Sequence, residues 1–291
     1  MKHIPRKRFG QHFLVDQGVI EDIVDAIAPK KGDWVIEIGP GMGAMTGPLL
    51  KMLEQMCVIE LDKDLVKTLQ LNTQLKVIPC DVLKVNFHHL ADELFSGANS
   101  RDTSAEVTSN ALAKDKKLRI VGNLPYNIST PILFHLLDYV DRVEDQHFML
   151  QKEVVDRICA APGSKKYGRL SVMMQYYCAT ELLFDVPPES FDPAPKVMSA
   201  IVRLIPHQQP PVAVNNLKML NRVVVQAFSQ RRKTLRNSLK KLIDEDAIVA
   251  LGIDPNLRAE VISLADFARL SNVLREEDLT EEDADLDLNG D

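Results

Sequence analysis

No apolar run among the 291 residues approaches the roughly 20 needed to cross a bilayer, and the basic start MKHIPRKRFGQHF lacks the apolar stretch of a signal peptide. A soluble, cytoplasmic protein with no membrane partner is therefore expected. Cysteine is sparse: Cys57, Cys80, Cys159 and Cys178 are scattered, with no C-x-x-C pair and no metal-like spacing to histidine. That pattern excludes a disulfide framework and points to reduced packing thiols, with no metal expected. Acids are missing from two segments, one with Lys2, Arg6, Lys7 and Arg8, the other SQRRKTLRNSLKK with Arg231, Arg232, Lys233, Arg236, Lys240 and Lys241.

What is present sets the scale. With 45% hydrophobic residues the chain is long enough for one large domain and a smaller one. The net charge of −6 is unevenly distributed: the last sixteen residues hold nine acids, and residues 1–275 carry 35 bases against 32 acids. The two acid-free segments thus read either as solvated faces or as a footprint for phosphates.

DQGVIEDIVDAIA reads as a helix capped by Asp16, with Val19, Ile20, Ile23, Val24 and Ile27 on one face. Short apolar strands follow at 34–39, 57–62 and 76–81, separated by helical segments, and imply a parallel sheet covered on both faces. Further strands are expected at 118–123, 146–151, 181–186 and 199–205, giving seven in one α/β layer over residues 1–205. Within that layer, 96–117 is polar and low in complexity and reads as a flexible surface insertion. After PHQQPP only helical periodicity remains, in NLKMLNRVVVQAF, RRKTLRNSLKKLI and SLADFARLSNVL, so 206–275 reads as a small all-helical domain and 276–291 as a disordered acidic tail.

The stretch EIGPGMGAMT supplies Gly39, Gly41 and Gly43 between the first strand and a helix, where the backbone must turn sharply and approach a ligand. Glu60 ends the second strand, where a carboxylate accepts from both hydroxyls of a ribose, and Asp81 ends the third, suited to accept from an adenine amine. A dinucleotide-binding enzyme is the rival, but the spacing here is G-x-G-x-G with Glu37 two positions before and Pro40 inside the turn, not G-x-G-x-x-G. Acids at the ends of the next two strands favour an S-adenosylmethionine-dependent methyltransferase.

LRIVGNLPYN then closes the fourth strand. At the switch of an open parallel sheet, strand ends line the ligand crevice, so Asn123 should face the donor site. An adenine amine is a poor nucleophile because its lone pair is delocalised into the ring. Two acceptors, the Asn123 side-chain oxygen and a carbonyl at Leu124 or Pro125, would bind its hydrogens and favour the geometry that localises that pair. Pro125 stiffens the loop, and Tyr126 offers a face for a base taken out of its stack. Ser129, Thr130 and Pro131 read as the N-cap and first turn of the next helix.

Eight ordered motifs carry a family resemblance: RKRFGQHFL, EIGPGMGAMT, VIELD, NLPYNISTP, FMLQKEV, YGRLSV, FDPAPKVMSA and AFSQRRKTLRNSL. Together they resemble the bacterial ribosomal RNA adenine dimethyltransferases over almost the whole chain. The resemblance implies a Rossmann-like seven-stranded methyltransferase domain with a helical RNA-contacting domain. It implies S-adenosyl-L-methionine as donor, bound by His12, Leu14, Gly39, Gly41, Glu60, Asp81 and Asn123. His12 stands where the family's Q-N-F-L motif usually has asparagine. The same resemblance sets Asn123, Leu124, Pro125 and Tyr126 at the acceptor, with Phe191 as a second aromatic, and makes Arg6, Lys7, Arg8, Arg231, Arg232, Lys233 and Arg236 RNA contacts. The implied activity is dimethylation of N6 on two adjacent adenosines near the 3′ end of 16S rRNA in the 30S particle, by a monomer with a role in small-subunit biogenesis. Large-subunit rRNA or DNA as acceptor, and a role mainly as an assembly-binding factor, stay open as alternatives.

Overall fold

The computed structural model describes residues 12–97 and 116–275. Arg6, Lys7 and Arg8, most of the expected insertion and the acidic tail lie outside the described residues. Two short strands, β1 (Phe13–Leu14) and β8 (Phe191–Asp192), pair antiparallel with Leu14 opposite Phe191. The seven others form one sheet: β2 (Trp34–Ile38), β3 (Met56–Ile59), β4 (Leu75–Ile78), β5 (Leu118–Asn123), β6 (Val143–Gln151), β7 (Cys178–Val186) and β9 (Ser199–Pro206). The order is β4-β3-β2-β5-β6-β9-β7, the Rossmann-like layer that the seven apolar runs imply.

Pairing is parallel from β4 across to β6, then antiparallel between β6 and β9 with Met149 opposite Ile201. The reversal has a local cause. Only a 3₁₀ turn, the two residues of β8 and a loop over 193–198 separate β7 from β9, with no α-helix to make the crossover a parallel neighbour needs. At the other end, the chain runs out to the edge strand β4 and returns beyond β2 to form β5. The C-terminal ends of β2 and β5 are therefore adjacent while their connections diverge, which opens a crevice above them.

Helix α1 (Gln17–Ile27) covers one face. Asp16 starts it by accepting from the amides of Gly18 and Val19, and Ile20, Ile23, Val24 and Ile27 are buried against Val35, Met45, Leu49, Val121 and Phe191. Its C-terminal end is tied to the sheet by one buried cation. Arg119 on β5 donates to the Ile27 and Ala28 carbonyls and pairs with Asp33 at 2.8 Å and Asp145 at 2.6 Å. Helices α2 (Thr46–Met52), α3 (Lys63–Leu69), α4 (Phe87–Gly97) and α5 (Ser129–Leu137) supply the other connections. Ser129 is the first residue of α5 and not its cap: Ile128 holds that position, and the Ser129 hydroxyl donates back to the Tyr126 carbonyl at 3.2 Å.

The chain divides into two compact units, one reaching to Lys152 and resuming over Glu181–Pro206, the other formed by Glu153–Thr180 with the residues from His207. Residues 153–180, read from sequence with the first domain, thus cluster with the C-terminal helices. The reason is aromatic: buried Tyr167 meets Phe228 edge-on at 6.1 Å, and Phe228 meets Phe267 at 5.7 Å. This second unit contains α6 (Lys152–Ile158, from its second residue), α7 (Arg169–Tyr177), α8 (Leu217–Phe228), α9 (Leu235–Ser238), α10 (Glu245–Ala250) and α11 (Leu264–Asn272).

One expected helix is much shorter than its periodicity implies. RRKTLRNSLKKLI is helical only over Leu235–Ser238, and Arg231–Lys233 lie in turns. Distant chain sets that start: Thr234 bridges to Arg258, and the amides of Leu235 and Arg236 donate to the carbonyls of Leu257 and Pro255. Leu235 and Leu239 are buried as the pattern implies, but Arg232 is not on their helix.

Candidate active site

Gly39, Gly41 and Gly43 all take positive φ, at 67°, 58° and 85°. The turn is anchored by the Gly39 amide, which donates to the Ile59 carbonyl at 2.9 Å. A Cβ on Gly41 would lie 3.1 Å from two atoms of the Phe13 ring, so the glycine is required both by its backbone and by the strand packed over it.

Glu60 braces this turn from β3. One oxygen accepts from the Asp62 amide at 2.8 Å and the other from the Gly41 amide at 3.3 Å. Burial raises its pKa while these backbone donors oppose the rise. The Leu61 amide is a third backbone donor to this carboxylate, whose two oxygens offer about four acceptor sites and so keep capacity for a ligand. Asp81 follows β4 and accepts from the Leu83 amide at 3.1 Å, starting a 3₁₀ turn over Val82–Lys84. Beside it, burial and the Asp81 charge raise the Cys80 thiol, which keeps it protonated and makes it a wall rather than a nucleophile.

Across the crevice, Asn123 ends β5. Its Nδ2 donates to the His12 carbonyl at 3.0 Å, and because a carbonyl only accepts, that bond fixes which way the amide is turned. Oδ1 is left as the acceptor. The Pro125 carbonyl accepts from the Ile128 amide at 3.1 Å, and Leu124 and Pro125 both line the same cavity. Tyr126 is fixed through its hydroxyl, 2.6 Å from Ser199 Oγ on β9, and burial raises its pKa so that it stays a phenol.

His12, Leu14, Gly39, Gly41, Glu60 and Asp81 all line one cavity of about 330 Å³. Asn123, Leu124, Pro125 and Tyr126 line it too. Acceptor oxygens at Glu60 and Asp81, apolar walls at Leu61 and Val82, and a backbone turn that excludes a Cβ suit a ligand with ribose hydroxyls and an aromatic amine. Against this set of residues, a model of one family, ribosomal RNA adenine dimethylase, matches residues 2–276.

The chain belongs to the ribosomal RNA adenine dimethylase family. It is 50% identical over 284 residues to ribosomal RNA small subunit methyltransferase A of Histophilus somni (strain 2336), covering 96% of both chains. A Yersinia pestis (strain Pestoides F) protein of the same name is 51% identical over 276 residues, 94% of each. Among solved structures, a dimethyladenosine transferase from Plasmodium falciparum shares the fold with a TM-score of 0.69 at 23% identity, covering 89% of this chain and 96% of that one.

Phe191, the second aromatic that the family resemblance sets at the acceptor, does not line the cavity. It is 4% exposed and packs in the core with Leu14, Val121 and Met149, because its pairing with Leu14 in the β1–β8 ladder turns it inward. Other wall residues had no sequence signal of their own. Met42, Met45, Leu83 and Ile132 read simply as apolar, and Ser199 and Pro193 reach the site only through β9 and the loop before it. Gly122 did carry a signal, a glycine inside a strand: a Cβ there would sit 2.6 Å from the Ile38 carbonyl, so β5 approaches β2 more closely than any side chain allows.

Arg231, Arg232, Lys233 and Arg236 are exposed in the second unit. Arg231 donates to the Lys165 carbonyl at 2.7 Å and lies 3.5 Å from Glu260, and Arg236 lies 3.7 Å from Glu245. Among the described residues, no helix is long and apolar enough to cross a membrane.

Proposed function

We propose that this protein transfers methyl groups from S-adenosyl-L-methionine to N6 of two adjacent adenosines near the 3′ end of 16S rRNA, acting as a cytoplasmic monomer on the 30S particle during small-subunit biogenesis. The observation that carries the reading is the orientation of Asn123, whose Nδ2 is engaged by the His12 carbonyl so that Oδ1 is the group offered to an amine. The acceptor preference of its relatives' name, the small ribosomal subunit, supports the choice of 16S over 23S rRNA.

S-adenosylmethionine, when bound, supplies a sulfonium methyl. Glu60 would take the ribose hydroxyls with the acceptor capacity that the Gly41, Leu61 and Asp62 amides leave, and Asp81 would take the adenine amine. On the acceptor side, Asn123 Oδ1 and a carbonyl at Leu124 or Pro125 accept the two amine hydrogens. That arrangement draws the nitrogen toward pyramidal geometry and aims its lone pair along the line of attack. Tyr126, immobilised through Ser199, stacks the base at roughly 1–3 kcal/mol. No strong base is required, because the amine becomes acidic once alkylated and its proton passes to water. Arg231, Arg232, Lys233 and Arg236, with Arg6, Lys7 and Arg8, meet phosphates of the structured RNA.

The test is mass mapping of methylated adenosines after incubation with labelled donor and unmethylated 30S particles, beside 50S particles and duplex DNA. Label on two neighbouring adenosines of 16S rRNA is expected. Label mainly on 50S RNA or on DNA overturns the choice of acceptor, and no label on any of the three overturns the activity.

A further inference from the structure

One ring already lies on Tyr126. The imidazole of His12 is stacked on the phenol with centroids 5.6 Å apart and planes 23° from parallel, and both residues line the cavity. Stacked rings in contact have centroids roughly 4.5–7 Å apart, so no layer remains between these two for a purine. Phe191 contributes no ring to the cavity, whereas the His12 ring both lines it and stacks on Tyr126.

The imidazole and the main chain of His12 are held separately. Nδ1 lies 2.7 Å from the Pro193 carbonyl and carries the hydrogen of that bond, since the carbonyl can only accept. The backbone carbonyl of His12 instead accepts from Asn123. Rotation about the side-chain bonds would release the ring from Pro193 and Tyr126 while leaving the Asn123 contact made. Tyr126 would stay in place through Ser199.

We propose that His12 is a positioning residue whose imidazole occupies the acceptor face of Tyr126 until the target adenine displaces it. This inference rests on the function proposed above. In the empty enzyme the ring keeps the stacking face covered, while the main-chain carbonyl of the same residue keeps the Asn123 amide oriented. An entering base recovers the lost stack only by stacking in its turn, and gains on it only if it carries an amine for Asn123. A base without that amine meets the same displacement and recovers only the stack, so the covered face weakens binding of every base and the amine contacts decide which of them still gains.

The test is steady-state kinetics of the full chain on unmethylated 30S particles for wild type, H12N, H12A and H12F, with melting temperature recorded for each. The ring-less H12N and H12A are expected to lower KM for the particle about two- to tenfold, the range of one aromatic stack. H12F, which keeps a ring over Tyr126, should hold KM at or above the wild-type value. The proposal is overturned if a folded ring-less variant leaves KM unchanged or raises it, or if H12F falls with the others. Failure of the wild type itself to methylate adenosine would instead sink the activity on which the inference rests.

Discussion

The Thr46 hydroxyl donates to Glu37 Oε2 across 2.6 Å in the floor of the donor cavity, where Glu37 is only 1% exposed. Burial pushes this carboxyl up from an ordinary 4.5 to about 7; the Thr46 bond opposes the rise and the Glu60 charge adds to it. Between pH 4.5 and about 7 the folded protein holds a proton that the unfolded chain has lost, so this group's contribution to stability falls as pH rises through that window and levels off above it. Glu37→Gln, which keeps an acceptor for Thr46 and cannot ionise, should gain on wild type across the same window, by on the order of 3 kcal/mol at pH 8. Urea midpoints at pH 5 and pH 8 measure it. A gap between the two proteins that stays constant with pH would refute the assignment.

Asn123→Ala removes the acceptor presented to the amine. The expected loss in kcat is about a hundred- to thousandfold, the usual consequence of deleting one preorganised polar group at the reacting atom. Calorimetry should find S-adenosylmethionine still bound, because Glu60 and Asp81 are intact. Wild-type turnover in the alanine variant would remove Asn123 from the mechanism.

Gly122→Ala tests how closely β5 and β2 lie. The added carbon would meet the Ile38 carbonyl at 2.6 Å and the Leu124 side chain at 3.2 Å, and the first of these is backbone that cannot turn aside. A loss of about 1–3 kcal/mol in unfolding free energy is expected, the range for overpacking a tight site. The displaced strand end carries Asn123, so turnover should fall together with stability.

Asp145→Ala leaves the Arg119 guanidinium short of its bidentate partner. Burial works against the charge of Arg119, yet hydrogen bonds from Asp145 and Asp33 hold its pKa raised, and Asp145 also opposes the burial that pushes nearby His147 down to about 4. Stripping one partner from a buried pair costs roughly 3–5 kcal/mol, and with Asp33 still in place the lower figure is expected. The double variant Arg119→Met, Asp145→Leu should lose less than the single one, as read by denaturant midpoints. A single variant as stable as wild type would show that Asp33 alone suffices.

The strands that carry the site were legible because β2, β3 and β5 are buried along nearly their whole length and, with the half-buried edge strand β4, read as mostly apolar runs that lead into Gly39, Glu60, Asp81 and Asn123. What escaped had no local cause to read. β6 begins at Val143, three residues before its apolar run, since Glu144 and Asp145 look polar until Arg119 is seen across the ladder. The inward turn of Phe191 depends on a partner far back in the chain, and the shortness of the Leu235–Ser238 helix depends on residues 255–258 ahead of it. The stacked pair His12 and Tyr126 could not be read either, because each sits in a motif interpretable without the other.

The β1–β8 ladder also has a kinetic meaning. Phe13 and Leu14 meet Asp192 and Phe191, and the amides of Val15 and Asp16 both reach the Ser190 carbonyl, so one wall of the donor cavity is closed by contacts between opposite ends of the first unit. Contacts of such sequence separation form late, after the local strand–helix pairs that shorten the intervening chain. During synthesis, the glycine turn, Glu60, Asp81 and Asn123 all emerge before the partner that seats His12 and Leu14 exists. A chain that stops short of Ser190 has the catalytic motifs but no finished wall around them.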